Sequence, residues 1–235
     1  MYCSGEPEDM TRVLGALVAR KYAAIGCNVA INYFSNREAA EKLVAQLRKQ
    51  YKVKTIYIQG VGHVIDVVVS DAGWIKVTVF SDLDAMDDDD WDRCWTTNVK
   101  SSLYLFKAAL PTFNAKPEGG AFIITSSTAV TCIDSSAVSR LLSLELGLHL
   151  MKCLAQNQGS KARVNAMLPG ILLTEWGMRF PPEAIEAYKN RVVLKKTADL
   201  DDTANAYVML AQNTSMIGQA IQIGMCSSRY QFLQD

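Results

Sequence analysis

The feature that most constrains this chain is an alternation. Short runs rich in β-branched residues take turns with longer stretches whose apolar residues recur at helical spacing. Residues 11–24 carry Val13, Leu14, Leu17 and Val18 on one face, with Gly26 just beyond as a helix stop. A strand over 28–33 follows, then a helix over 36–51 built on Ala39, Ala40, Leu43, Val44 and Leu47. Further strands are predicted over 54–59 and 64–70. Next come a helix through Trp91, Trp95 and Leu103, a strand over 121–125, a long helix over 136–157 and a strand over 162–168. A segment with Trp176, Pro181 and Pro182 leads to a helix over 202–212 and a strand over 219–224. Near-continuously apolar strands separated by helices form a parallel sheet covered on both faces. The expected fold is therefore α/β, a doubly wound parallel sheet, with the 235 residues forming one domain.

Composition narrows the function. Hydrophobic residues are 49% and charged residues 20%, enough for a sizeable core. Lys plus Arg and Asp plus Glu are 24 each, which argues against a nucleic-acid surface or a membrane-attracting face. No apolar run reaches membrane-span length and no signal-peptide pattern opens the chain, so a cytoplasmic location is expected. Six cysteines without CxxC spacing and two histidines, His63 and His149, predict free buried thiols and no metal site. The run Asp87–Asp90 suits the positive end of a helix dipole better than a metal. Trp91 and Trp95, at i and i+4, are expected in the core.

Four segments carry a resemblance: VVVSDAG (67–73), TNVK (97–100), IITSS (123–127) and RVNAMLPG (163–170) with Thr174. In this order and spacing they resemble the short-chain dehydrogenase/reductase family over nearly the whole length, and LHLMKCLA, LLTEWG and NTSMIGQAIQI look most like its fungal branch acting on small metabolites. The resemblance implies a Rossmann-like fold, NAD(P) bound across the carboxyl ends of the strands, and homo-oligomers assembled through the long central helices. It also implies four reacting residues. Asn98 and Ser127 match the Asn and Ser, but Arg140 stands in the Tyr position and Leu144 in the Lys position. An arginine keeps its proton throughout the working pH range and cannot replace a phenol as general acid.

The cofactor turn departs as well. Gly15 matches the last glycine of the family's turn, while Val13 and Asp9 occupy the other two places. Ser35, Asn36 and Arg37 resemble a grip on an NADP 2′-phosphate, or alternatively form a helix cap with a solvated arginine. Ala72, Gly73, Pro169, Gly170 and Thr174 are the remaining cofactor-binding candidates by match to the motifs. Only residues 60–63 remain between two predicted strands, where a parallel crossover needs a dozen or more. A truncated first strand, a missing crossover helix and at most six well-formed strands are therefore expected.

The other candidates each carry two readings. Arg140 is either a surface or interface arginine, or a fixed cation beside Ser127 and Asn98. Asp71 and Asp134 are bases or loop residues, and Trp176 lines a pocket or packs the lid segment. The resulting expectation is a non-redox cyclisation or isomerisation of a small metabolite by Ser127, Arg140 and Asn98, with Trp176 and Asp134 on the substrate side. No cofactor is expected, NADP being the choice if one binds. The alternatives are a non-catalytic partner subunit and a residual NADP(H)-dependent reductase.

Overall fold

The computed structural model describes residues 2–3, 14–33, 36–58, 65–74, 76, 78, 82–131 and 138–224. Its strands are β1 (Tyr2–Cys3), β2 (Val29–Tyr33), β3 (Thr55–Ile58), β4 (Val67–Ser70), β5 (Gly120–Thr125), β6 (Ala162–Pro169) and β7 (Ala220–Ile223). Its helices are α1 (Leu14–Ala24), α2 (Arg37–Tyr51), α3 (Asp88–Trp95), α4 (Ser101–Asn114), α5 (Val138–Gln158), α6 (Pro182–Arg191) and α7 (Leu200–Gln212). Among the described residues the strands form one sheet in the order β3-β2-β1-β4-β5-β6-β7. Every pairing is parallel. The doubly wound α/β architecture is thus present, and the strand order reverses between β1 and β4.

The expected limit of six strands is corrected. The edge is regular, with β3 registered on β2 from Val29–Thr55 to Asn32–Ile58. Both strands end sooner than the sequence pattern indicates, so the link runs over residues 59–66. Eight extended residues reach roughly 26 Å, whereas three strand spacings of about 4.8 Å, roughly 14 Å, combined with a return of about 13 Å along a four-residue strand, span roughly 19 Å. A link without a helix can therefore carry the chain past β2 and β1. Within it, residues 65 and 66 are non-helical, and 59–64 lie outside the described residues.

Local chemistry sets the helix ends. The Asn36 side chain accepts from the Ala39 amide at 2.9 Å and caps α2. Asp87 caps α3 in a reciprocal box with Asp90, so the acidic run serves the helix end. Asp199 accepts from the amides of Asp201 and Asp202 at α7. Helix α6 has no counterpart in the sequence reading; Pro182 at its first position starts it without a side-chain cap.

Two cores flank the sheet. One joins α1, α2 and α7 to Ile31, Val69, Ile123 and Met167. The other joins α4 and α5 to Val68, Phe122, Ile124 and Val164, with Phe106 edge-on to Phe122 at 5.3 Å. Trp91 and Trp95 belong to neither. They are 39% and 38% exposed, which corrects their expected burial. The buried position of this short helix is Cys94, so its i, i+4 tryptophan pair marks the outer face. Of the described free cysteines, Cys94 is buried, Cys27 half-buried and Cys153 exposed. No described helix is long and apolar enough to cross a membrane.

Candidate active site

Asn98 lies in a widened π-helical turn, Thr96–Lys100, that joins α3 to α4. It is buried, and its amide is engaged on both ends. Oδ1 accepts from the Trp74 amide at 2.8 Å, and Nδ2 donates to the Trp74 carbonyl at 3.0 Å and to Cys94 Sγ at 3.3 Å. These bonds fasten the loop after β4, which contains Ala72 and Gly73, to the head of α4. Asn98 therefore acts on the loop through its side chain. Trp74 is fixed further by the Arg93 guanidinium, 5.0 Å from its ring centre.

Helix α5 passes close to this turn. A methyl group at Gly147 would touch the Asn98 carbonyl oxygen at 3.8 Å. Positions 140, 144 and 147 share one helix face by their spacing. The backbone positions matched to the family's Tyr and Lys thus share the face that α5 presents to Asn98. Arg140 occupies the first turn of α5, with its side chain outside the described residues, and Leu144 is half-buried. Asp134 lies outside the described residues altogether.

Ser127 follows β5. Its half-buried hydroxyl accepts from the Ala129 amide at 3.2 Å and starts the short 3-10 turn Thr128–Thr131. Beside it, Ser126 Oγ is enclosed without a hydrogen-bond partner among the described residues. Such a hydroxyl forfeits its water hydrogen bonds on burial.

Beyond β2, Ser35 lies outside the described residues and Asn36 serves as the α2 cap. Arg37 donates to Glu41 at 2.7 Å and to the Tyr57 hydroxyl at 3.2 Å, and its guanidinium lies 5.5 Å from the Tyr57 ring centre. The hydrogen bond to Glu41, then that to Tyr57, raises its pKa. The solvated-arginine and phosphate-grip readings stay compatible, since the side chain is exposed.

Beyond β6, the Gly170 amide donates to the Ile223 carbonyl at 2.8 Å. A side chain at position 170 would run into the Tyr188 hydroxyl, which donates to the Gly224 carbonyl at 2.8 Å. Gly170 is therefore needed for close packing of α6 over the end of β6. Thr174 is buried, and its Oγ1 accepts from the Gly177 amide at 3.2 Å. Trp176 is 46% exposed and packs edge-on against Phe180 at 5.6 Å, so its described contact is packing within the segment between β6 and α6.

The sequence reading weighed Asp71 only as a loop or base candidate and missed its surroundings. Asp71 is half-buried, and its carboxyl group faces the Thr125 hydroxyl and the Gly15 amide. Burial pushes its pKa up to about 7 against the opposing effect of these two donors. Thr125 Oγ1 lies 2.8 Å from the Tyr207 hydroxyl. The available signal was the inward stripe Thr203, Ala204, Tyr207 and Leu210, which places a phenol on the buried face of α7.

Comparison with known proteins bears on the family and the fold. The family model described as Enoyl-(Acyl carrier protein) reductase matches residues 10–224. The chain belongs to the short-chain dehydrogenase/reductase family. The chain is 28% identical over 220 residues to an NADP-dependent mannitol dehydrogenase of Hypocrea jecorina, covering 87% of this chain and 82% of that one. It is 25% identical over 233 residues to the 3-oxoacyl-(acyl-carrier-protein) reductase FabG of Staphylococcus aureus, covering 91% and 93%. Among solved structures, a 3-oxoacyl-(acyl-carrier protein) reductase with bound NAD from Brucella melitensis superposes with a TM-score of 0.81 at 20% identity, covering 92% of this chain and 88% of that one. L-sorbose reductase of Gluconobacter frateurii, complexed with NADPH and L-sorbose, gives 0.80 at 16%, covering 94% of each chain. These structures share the short-chain dehydrogenase/reductase fold.

Proposed function

We propose that this protein is a dinucleotide-linked oxidoreductase that reduces a carbonyl on a small polyol-like or acyl substrate, with NADP as its dinucleotide. The observation that carries this reading is the family match across residues 10–224. The relatives named above are reductases and dehydrogenases, two of them tied to NADP or NADPH by name. The non-redox cyclisation expected from Arg140 and Leu144 gives way to its reductase alternative, and the expectation of no cofactor gives way with it.

The described residues are compatible with the dinucleotide. The sheet reverses strand order between β1 and β4, the crevice where doubly wound sheets take such ligands. Arg37 offers an exposed guanidinium past the end of β2 for a 2′-phosphate. Gly73, Gly170 and Thr174 lie beyond the carboxyl ends of β4 and β6. When bound, the dinucleotide would supply the hydride. Ser127 would donate a hydrogen bond to the substrate carbonyl, and Asn98 would hold the loop after β4 in place. With an arginine at position 140, a fixed cation would stabilise the developing alkoxide, and solvent would deliver the proton. Trp176 would close the substrate side.

Fluorescence titration with NADPH and NADH, followed by turnover on ketoses and 3-oxoacyl thioesters, tests the reading. NADPH binding with slow turnover is expected, because a missing positioned acid costs about 10²- to 10⁴-fold. Failure of both dinucleotides to bind would overturn it. We also propose that two copies associate through α4 and α5, where Tyr104 and Leu146 are exposed. Sedimentation of the parent and a Leu146→Glu variant checks this, with a shift to monomer expected.

A further inference from the structure

Arg37 opens α2 where that helix meets the β3 edge of the sheet, and two side chains hold it there. Its Nε donates to Glu41 Oε1, one turn along the helix, at 2.7 Å, and its Nη2 donates to the Tyr57 hydroxyl of β3 at 3.2 Å. The guanidinium lies over the Tyr57 ring, 5.5 Å from its centre. That ring in turn leans on Tyr33 of β2 at 6.2 Å, with the planes 54° apart. Both tyrosines are half-buried against the α1–α2 core, so the rings are anchored from below. The ion pair is the outer layer: the Arg37 side chain is 64% exposed and that of Glu41 41%.

The two contacts differ in kind. The ring offers its face to a cation without carrying charge, so it holds Arg37 whatever anion the guanidinium faces. Glu41 is itself an anion, and the hydrogen bond from Arg37 keeps its pKa below the usual carboxylate range. Neighbouring charges have other engagements: Glu38 pairs with Lys42 at 2.7 Å, and Arg48 donates to the Thr55 carbonyl at 2.6 Å. An exposed pair such as Arg37–Glu41 is weak, worth less than about fivefold in an equilibrium, because water solvates both charges when they part. A phosphate monoester carries about 1.5 to 2 negative charges at neutral pH and pairs with arginine through parallel hydrogen bonds. It can therefore displace a carboxylate from such a guanidinium, against a small opposing term.

We propose that Glu41 is a specificity-determining residue: its carboxylate competes with the ribose 2′-phosphate of NADP for Arg37, and Tyr57 is the platform that keeps the guanidinium in place while one anion replaces the other. This rests on the dinucleotide-linked reading above. It adds that the chain carries its own rival to the phosphate, so its preference for NADP over NAD is smaller than Arg37 alone would give.

Dissociation constants of the full chain for NADPH and NADH, measured by fluorescence at low salt, test this in variants of the three residues. Glu41→Gln should tighten NADPH about two- to fivefold and leave NADH unchanged. In an Arg37→Ala background that gain should vanish, since the carboxylate then has no cation to withhold. Tyr57→Leu should weaken NADPH by about two- to fivefold and shrink the gain from Glu41→Gln. A gain that persists without Arg37, or that appears equally for NADH, would indicate general charge repulsion and overturn the proposal. An unmoved ratio of the two constants, with both dinucleotides bound, would also overturn it and leave the reductase reading intact. Failure of both dinucleotides to bind would overturn the two together.

Discussion

The two faces of the sheet handle buried polar groups in opposite ways. On the α4–α5 face the buried polar groups are neutral: the Asn98 amide against Trp74 and Cys94, and Ser70 paired with Ser102 at 3.0 Å. On the α1–α7 face burial pushes the pKa of the Asp71 carboxyl up to about 7 beside the buried Tyr207 phenol, whose backbone carbonyl accepts from Tyr22. The first arrangement holds its shape at any ordinary pH. The second contains a group that burial shifts toward neutrality, so the pH sensitivity of the fold should reside on one face, while the positions matched to the family's Tyr and Lys lie on the other.

Restoring the family's pair tests the chemical half of this contrast. Arg140→Tyr combined with Leu144→Lys should raise NADPH-dependent carbonyl turnover by about 10²- to 10⁴-fold, measured as kcat on the best substrate. An unchanged rate would mean that the α4–α5 face lacks more than its proton donor. Packing comes next in size. Phe106→Ala should cost about 3–5 kcal/mol by denaturant unfolding, equally at pH 6 and pH 8, because the cavity it leaves is apolar. A marked pH slope would break the contrast between the faces. Asn98→Ala removes both ends of an amide bridge and should cost about 2–3 kcal/mol, again without a pH slope, with faster amide exchange at Trp74 as its local signature. Lys21→Met deletes one ion pair whose Asp201 side is largely exposed. It should change stability by less than about 0.5 kcal/mol, and this small effect should vanish in high salt.

The sheet was legible in the sequence because β-branched runs and helical stripes differ in period, and that difference survives errors of a few residues at each boundary. Those same errors produced the miscount. A link read as 60–63 is in fact 59–66, and the extra reach decides whether β3 can pair with β2. Asn98 and Ser127 were legible by match to a motif, but the partners of Asn98 were not. Trp74 contributes its backbone to that bridge, and backbone groups carry no residue-type signal. Asp71 was visible as a residue and invisible as a site. Its behaviour depends on Thr125 and Tyr207, 54 and 136 positions away, and only the folded topology brings them together.

The widened turn at Thr96–Lys100 has a consequence for how this region tolerates change. A π-helical turn holds one residue more than an α-helical turn, and each residue advances a helix by about 100°. It therefore sets the phase between α3, whose tryptophans face outward, and α4, whose Phe106, Ala109 and Phe113 face the sheet. Shortening it by one residue would keep every side chain of α4 and rotate all of them together. The aromatic stripe would swing off the core and Asn98 would leave the loop it fastens. Point substitutions along α4 should be absorbed one at a time, whereas a single-residue deletion within 96–100 should act as a frame error in three dimensions.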